Sequence, residues 1–154
     1  MKDAFGGAFM LRILIVFFVV FVCFMTVAVS YVRVYRIKNN VISILEREDN
    51  YNDAATKIGS YLQSIDYQYV TNESVINECA KRVEATDNVV KTFNVAGGNA
   101  NGVCIVPYGE VIDGIYKYHY QVTAYIVLDF PLFHLGTVVP ISGETRPLYM
   151  GASS

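Results

Sequence analysis

A continuous apolar run at residues 13–32 constrains the fold more than any other feature of this chain. It reads ILIVFFVVFVCFMTVAVSYV and contains no charged residue and no proline. A helix rises about 1.5 Å per residue, so roughly 20 residues cross a hydrocarbon core about 30 Å thick. Because a lone segment in lipid must satisfy its own backbone hydrogen bonds, the run predicts a transmembrane helix.

A cleaved signal peptide is the alternative interpretation of the same run. Ala28 and Ser30, just before Tyr31, fit the small-x-small pattern of a signal-peptidase site. The run is longer than an ordinary signal-peptide core, however, and helical periodicity continues beyond it. We therefore expect a retained membrane helix.

Short segments flank this run on both sides. Residues 1–12 form a head too short to fold alone, in which Gly6-Gly7 is expected to prevent a helix from starting earlier. Residues 33–48 contain neither glycine nor proline, and they predict an amphipathic extension of the same helix. Its apolar stripe consists of Val34, Ile37, Val41, Ile44 and Leu45. The stripe suits packing against the chain's own domain or against other copies in a filament, and both can hold at different positions.

The remaining residues, 49–154, suffice for one small domain. Asp53–Ser64 is a predicted helix capped by Asn52 or Asp53, and Glu73–Arg82 is a second, capped by Thr71 or Asn72. Between them, Tyr67–Val70 is a candidate strand. The first helix is expected to bury Ala54, Ile58, Tyr61, Leu62 and Ile65, and the second to present Val75, Ile76, Cys79 and Ala80 on one face.

The pattern changes to that of β-structure after Asn88. Strands are predicted at Val89–Val95, Val103–Tyr108, Ile115–Leu128 and Thr137–Thr145, with Ala96–Gly102 as a glycine-rich turn. The longest strand alternates strictly. One face carries Tyr116, Tyr118, Tyr120, Val122, Ala124, Ile126 and Leu128, and the other carries Lys117, His119, Gln121 and Thr123. Such alternation is typical of a half-buried antiparallel sheet. The tyrosines are expected in its core, with an exposed recognition stripe as the alternative, and Pro140 indicates an edge strand or a bulge. The predicted class is α+β with about four strands.

Charge and cysteine content give opposite indications of orientation. Arg33, Arg36 and Lys38 after the run outnumber Lys2 and Arg12 before it, which favours a cytoplasmic C-terminus. Cys79 and Cys104 suit a disulfide in an oxidising compartment, although two buried free thiols remain the alternative. Residues 49–154 hold six basic and eleven acidic side chains, which argues against nucleic acid as a partner.

Few residues indicate chemistry. His119 and His134 have no Cys, Asp or Glu at metal-ligand spacing, and the turn at Ala96–Gly102 lacks the Lys-Ser/Thr of a phosphate loop. The polar segment Ser142–Arg146 is explained as well by a strand-end turn as by a small site. We expect no enzyme, no metal and no cofactor.

The chain resembles the type IV pilin superfamily, in particular the TadE-like pseudopilins of tight-adherence (Tad) pilus systems. The resemblance rests on a head ending in Gly6-Gly7, a helix that begins in the membrane, its amphipathic continuation, and the apolar, proline-containing segment at residues 130–146. It implies cleavage by a prepilin peptidase between Gly7 and Ala8. It also implies a glutamate at the fifth mature position, where this chain has Arg12.

Three functions follow as hypotheses. The first is a single-pass membrane subunit, with its domain outside the cytoplasm at residues 49–154, that packs with pilin-like or secretion-machine proteins of a bacterial surface pilus. The second is a membrane-tethered ectodomain that binds a protein or cell-wall ligand and does not assemble. A weaker third option places the domain in the cytoplasm as a docking unit, which free thiols at Cys79 and Cys104 would support.

Overall fold

Among the described elements the helices precede the strands, and the predicted α+β class is confirmed. The computed structural model describes residues 2–48, 50–65, 67, 73–86, 95–100, 102–130 and 135–149. The elements in these ranges are α1 (Lys2–Leu45), α2 (Tyr51–Ser64), α3 (Glu73–Glu84), β1 (Gly98–Ala100), β2 (Val103–Ile112), β3 (Ile115–Phe130), β4 (Leu135–Glu144) and β5 (Leu148–Tyr149).

Helix α1 is longer than expected at its N-terminal end. It spans 44 residues and passes through Gly6 and Gly7 without a break, so the expectation that the glycine pair holds back the helix is wrong. A glycine costs a helix only about 1 kcal/mol relative to alanine, and a long helix-forming segment follows the pair. At the other end the helix stops at Leu45, and Glu46 and Arg47 form a turn.

Helix α2 begins two residues before the predicted start. Its N-cap is Asn50, whose side chain accepts a hydrogen bond from the Asn52 N–H at 3.0 Å, and neither Asn52 nor Asp53 is the cap. Asparagine serves here because its short side chain reaches the unpaired amide of the first turn. The helix buries Ala54, Ile58 and Leu62, whereas Tyr61 and Ile65 are half-buried.

The strands form one antiparallel sheet in the order β1-β2-β3-β4, and β5 pairs with β3 beyond the end of β4. A two-residue turn at Asp113-Gly114 joins β2 to β3, and both residues have positive φ. That geometry matches the right-handed twist of a hairpin. Among the described strands β4 is an edge, which confirms the edge position predicted from Pro140.

Part of the predicted glycine-rich turn is a strand. Gly98–Ala100 pairs with β2 as β1, and the backbone lies so close that a Cβ on Gly97 would be 2.4 Å from the Cδ of Pro107. Glycine is needed there for close approach as well as for turning. Val95 itself is not in a strand. Residues 89–94 of the predicted strand, residues 68–70, the predicted caps at 71–72, and His134 lie outside the described residues.

The first core lies between the sheet and the helices α1 and α2. Val34, Ile37, Val41 and Leu45 of α1 are buried in it and Ile44 is half-buried, so the stripe packs against the chain's own domain. Opposite them, β3 contributes Tyr120, Val122, Ala124 and Ile126. The expected tyrosine core therefore holds for Tyr120, while Tyr118 is half-buried and Tyr116 is 48% exposed.

Helix α3 covers the other face of the sheet, so the expectation of a half-buried sheet is wrong in its central part. Thr123 and Tyr125 are buried on the face predicted to be polar, next to Cys79, Cys104 and Val106. The predicted apolar face of α3 is also only partly correct. Its inward positions are Cys79 and the half-buried Val83, whereas Ile76 and Ala80 are exposed.

Candidate functional site

The first part of α1 projects from the domain with its apolar side chains exposed. The most apolar 18-residue window of the span Phe9–Leu45 has a mean hydropathy of 3.0, and none of that window is buried. This is one helix long and apolar enough to cross a membrane, and its place near the N-terminus suits a signal sequence equally. The exposed large side chains in residues 9–25 are Phe9, Met10, Leu11, Ile13, Leu14, Ile15, Val16, Phe17, Phe18, Val19, Val20, Phe21, Val22, Phe24 and Met25.

The candidate processing position lies in this exposed part. Gly7 is exposed, and a Cβ built on it would have nothing within 4 Å. Ala8 follows within the helix, and Arg12 is exposed one turn further on. Arg12 has no ion-pair partner in the described part of the chain.

Aromatic and basic side chains mark the place where α1 meets the domain. The rings of Tyr31 and Tyr35 stack with centroids 6.2 Å apart, and the Lys38 ammonium lies 4.5 Å from the Tyr35 ring centroid. Tyrosines with adjacent cations are typical of membrane–water boundaries, because one end of each side chain is apolar and the other is hydrated. On the other side of the helix, Arg33 donates a hydrogen bond of 2.8 Å to the carbonyl of Ile65 at the end of α2.

An open groove of about 610 Å³ lies between α1 and the C-terminal end of α2. It is lined by Ala28, Val29, Val32, Arg33, Arg36, Ile37, Asn40, Tyr61 and Ile65. Asn40 donates a 2.7 Å hydrogen bond to the Tyr61 hydroxyl across the groove. The sequence did not indicate it, because Tyr61 and Ile65 reach α1 only through the tertiary fold.

The segment Ser142–Arg146 is a structural link to α1. Thr145 exchanges two hydrogen bonds with the backbone of Tyr120. The next residue, Arg146, donates to the Glu46 carboxylate from its backbone N–H at 2.9 Å and from its Nε at 3.1 Å. Gly143 lies where a Cβ would be 2.8 Å from the Lys38 ammonium. The segment thus fastens the end of β4 to the end of α1.

A disulfide joins Cys79 on α3 to Cys104 on β2, as the cysteine count predicts. Both cysteines are buried, and the bridge holds α3 on the outer face of the sheet. The remaining cysteine, Cys23, lies free in the apolar part of α1.

Tyr67 is a structural residue that the sequence did not indicate. Its hydroxyl donates to the Tyr125 carbonyl at 3.0 Å and accepts from the Tyr125 N–H at 3.2 Å. Tyr125 lies beyond the part of β3 that pairs with β2, which ends at Thr123. The Tyr67 hydroxyl therefore takes the place of a neighbouring strand. Burial raises the pKa of Tyr67 and Tyr120, and that of Tyr51 beside Tyr120.

The remaining polar candidates are not assembled into a reactive group. His119 stacks on Tyr108, and its Nδ1 lies 4.0 Å from the Glu110 carboxylate. Within the described ranges, no three His, Cys, Asp or Glu side chains come together as metal ligands. The arrangement offers surfaces for packing, at the exposed helix and at its junction with the domain.

Comparison with known proteins adds no assignment, since no family model, curated protein or solved structure matches the chain.

Proposed function

We propose that this chain is a single-pass membrane subunit of the pilin or pseudopilin kind, TadE-like, that serves as a structural part of a bacterial surface pilus or secretion machine. The observation that carries the proposal is the division of α1. One unbroken helix has an exposed, apolar first part and a second part whose stripe is buried against an antiparallel sheet. A subunit that waits in a membrane and then packs side by side with others needs both parts.

The exposed part of α1 requires a nonaqueous environment. Fully burying one large apolar side chain gains about 1.5–3 kcal/mol. Fifteen large apolar side chains in residues 9–25 are 40–72% exposed. Lipid supplies that environment for a single subunit. Neighbouring helices of the same kind supply it in an assembled filament.

The disulfide supports placing the domain outside the cytoplasm. Disulfides persist in oxidising compartments and are rare in the cytosol, and the Cys79–Cys104 bridge is part of the second core. The excess of basic residues after the run, which favours the opposite orientation, has another use at the junction. Arg33 donates a hydrogen bond to the Ile65 carbonyl at the end of α2, and the Lys38 ammonium lies over the Tyr35 ring.

Arg12 favours a second candidate, a tethered ectodomain that binds a protein or cell-wall ligand without assembling. In the resembled family the fifth mature residue is a glutamate that pairs with a neighbour's amino terminus. A cation at that position repels the same group. Under this alternative the protein remains uncleaved, and Arg12 marks the cytoplasmic boundary of the helix.

Intact mass of the protein from its native membranes, measured with and without reduction before alkylation, tests the proposal. We expect a chain that starts at Ala8, with Cys79 and Cys104 alkylated only after reduction, and we expect it in the sheared filament fraction. An unprocessed chain with shielded cysteines supports the tethered ectodomain. A start at Tyr31 indicates a secreted protein and overturns both, and free thiols in an intact chain indicate a cytoplasmic domain.

Two matched variants separate the cleavage sites. Gly7→Leu should abolish a start at Ala8 without harming the fold, because leucine is a good helix former and the position is open. Ser30→Leu removes the small residue before Tyr31 and should leave processing at Ala8 unchanged. If Ser30→Leu alone blocks processing, the pilin-like proposal fails.

A further inference from the structure

The groove between α1 and α2 spans the end of the apolar run. Its lower wall is Ala28, Val29 and Val32, which belong to that run, and its upper wall carries Arg33 and Arg36. From Ala28 to Asn40 the groove follows α1 for roughly 18 Å at the helical rise. One continuous surface therefore passes from an apolar part to a cationic and polar part, in the direction in which a membrane passes from acyl chain to headgroup.

The charges at the groove have one sign. No acidic side chain is among its lining residues. Arg33 is held in place by its hydrogen bond to the Ile65 carbonyl. Arg36 is exposed and has no ion-pair partner within the described ranges. A guanidinium presents parallel donors that match a phosphate, and its weak hydration makes exchange of water for an anion favourable.

The other occupants fit less well. A second copy's apolar helix would bring no anion to Arg33 and Arg36 and would partly desolvate them. Free phosphate would pair with the arginines but would gain nothing from Val29 and Val32. An anionic phospholipid uses both walls, with its phosphate at the arginines and the start of an acyl chain along the valines.

We propose that this groove is a binding site for an anionic phospholipid such as phosphatidylglycerol, held by Arg33 and Arg36 with Asn40 and Tyr61 at the polar end. The inference rests on the membrane anchoring in the proposed function, but not on filament assembly. The lipid would fix the depth and tilt of the domain at the membrane surface before any partner binds.

Native mass spectrometry of the full-length chain, released from detergent and titrated with lipid, tests this site. We expect phosphatidylglycerol to bind at least fivefold more tightly than phosphatidylcholine of the same acyl chains. Since a basic residue near an anionic surface contributes roughly a fivefold factor, Arg36→Gln should remove about that much preference. Arg36→Lys should restore part of it, because lysine keeps the charge but not the paired donors.

Arg47→Gln is the matched control, because Arg47 is exposed and lies beyond the end of α1, away from the groove. It should leave the preference for phosphatidylglycerol unchanged. Equal loss in Arg36→Gln and Arg47→Gln, or equal binding of the two lipids, overturns the site. Competition with phosphatidylglycerol by millimolar inorganic phosphate overturns the claim that the acyl chain contributes to binding.

A crosslinking arm tests the remaining occupant. In a Cys23→Ser background, Val29→Cys should stay monomeric under oxidation in phosphatidylglycerol nanodiscs, and efficient dimer formation would assign the groove to a second copy. The outcomes are distinguishable from those of the proposed function. Lipid preference in a protein that is never cut at Ala8 keeps the site and removes the pilin-like subunit, and a filament subunit without lipid preference does the reverse.

Discussion

The two parts of α1 are one continuous helix, yet they solve opposite packing problems. Residues 13–32 carry no charge, are apolar around the helix and are mostly exposed, whereas residues 34–45 are apolar along one stripe and bury it in the domain. A sheet face covers only one side of a helix. The amphipathic part can therefore be completed within the chain, while the uniformly apolar part is left uncovered by the described elements and, under the proposed function, faces lipid or other helices. Distribution of apolar residues, more than their number, separates the two roles.

The same substitution in each part tests this contrast most strongly. Leu45 is 1% exposed and Leu14 is 55% exposed. Leu45→Ala should lower the free energy of unfolding of the domain by about 2–5 kcal/mol, because it leaves a cavity in the first core. Leu14→Ala should change it by less than about 0.5 kcal/mol. Urea unfolding in detergent, followed by the near-ultraviolet circular dichroism of the tyrosines, measures both. Equal losses would contradict the division of the helix.

This contrast was predictable from the sequence in large part. The apolar run and the stripe from Val34 to Leu45 are local patterns, and periodicity identifies them. The alternation of β3 likewise located the face that packs in the first core. The burial of Tyr125 was not predictable, because it depends on α3 packing across the sheet from a distant part of the chain.

The candidate site was predictable only on its α1 side. Arg33 and Arg36 are visible as basic residues after an apolar run, but the Ile65 carbonyl and the Tyr61 hydroxyl come from the fold. The Glu46–Arg146 pair joins residues 100 positions apart, and no local pattern connects them. The helix start at Lys2 was not predictable from the local glycine pair, because the long helix-forming segment that follows outweighs the cost of two glycines.

Removing the disulfide sharpens the comparison by weakening only the packed part. The bridge joins residues separated by 25 positions, and closing such a loop stabilises the folded state by about 3 kcal/mol. Cys79→Ala with Cys104→Ala should therefore lower the unfolding free energy of the domain by about that amount. Cys23→Ala, in the exposed part of α1, is the control and should leave it unchanged. A similar loss from Cys23→Ala would mean that the apolar part contributes to the domain's stability.

The hydroxyl of Tyr67 allows a finer test of what holds the packed side together. Tyr67→Phe keeps the ring but leaves the N–H and carbonyl of Tyr125 without their partner, which should cost about 1–3 kcal/mol in the same unfolding assay. Tyr149→Phe removes a hydroxyl from a side chain that is 69% exposed and should cost less than about 0.5 kcal/mol. If both variants unfold alike, the Tyr67 hydroxyl does not substitute for a strand.

Alkaline pH should destabilise the domain and leave the apolar part of α1 helical, and this is the smallest of the expected effects. Burial, and then the neighbouring Tyr118 and Tyr51, raise the pKa of Tyr120 above its ordinary value of 10.0. Below pH 10 both states keep the proton and stability is complete. Above it the unfolded state releases the proton first, so the free energy of unfolding should fall by up to about 1.4 kcal/mol per pH unit for this group. Tyr120→Phe should reduce the slope by that amount between pH 10 and 11.

Residues 9–30 contain no tyrosine, so the far-ultraviolet helix signal of the apolar part in detergent should persist after the domain's near-ultraviolet signal is lost. Simultaneous loss of both signals would mean that the two parts unfold as one unit.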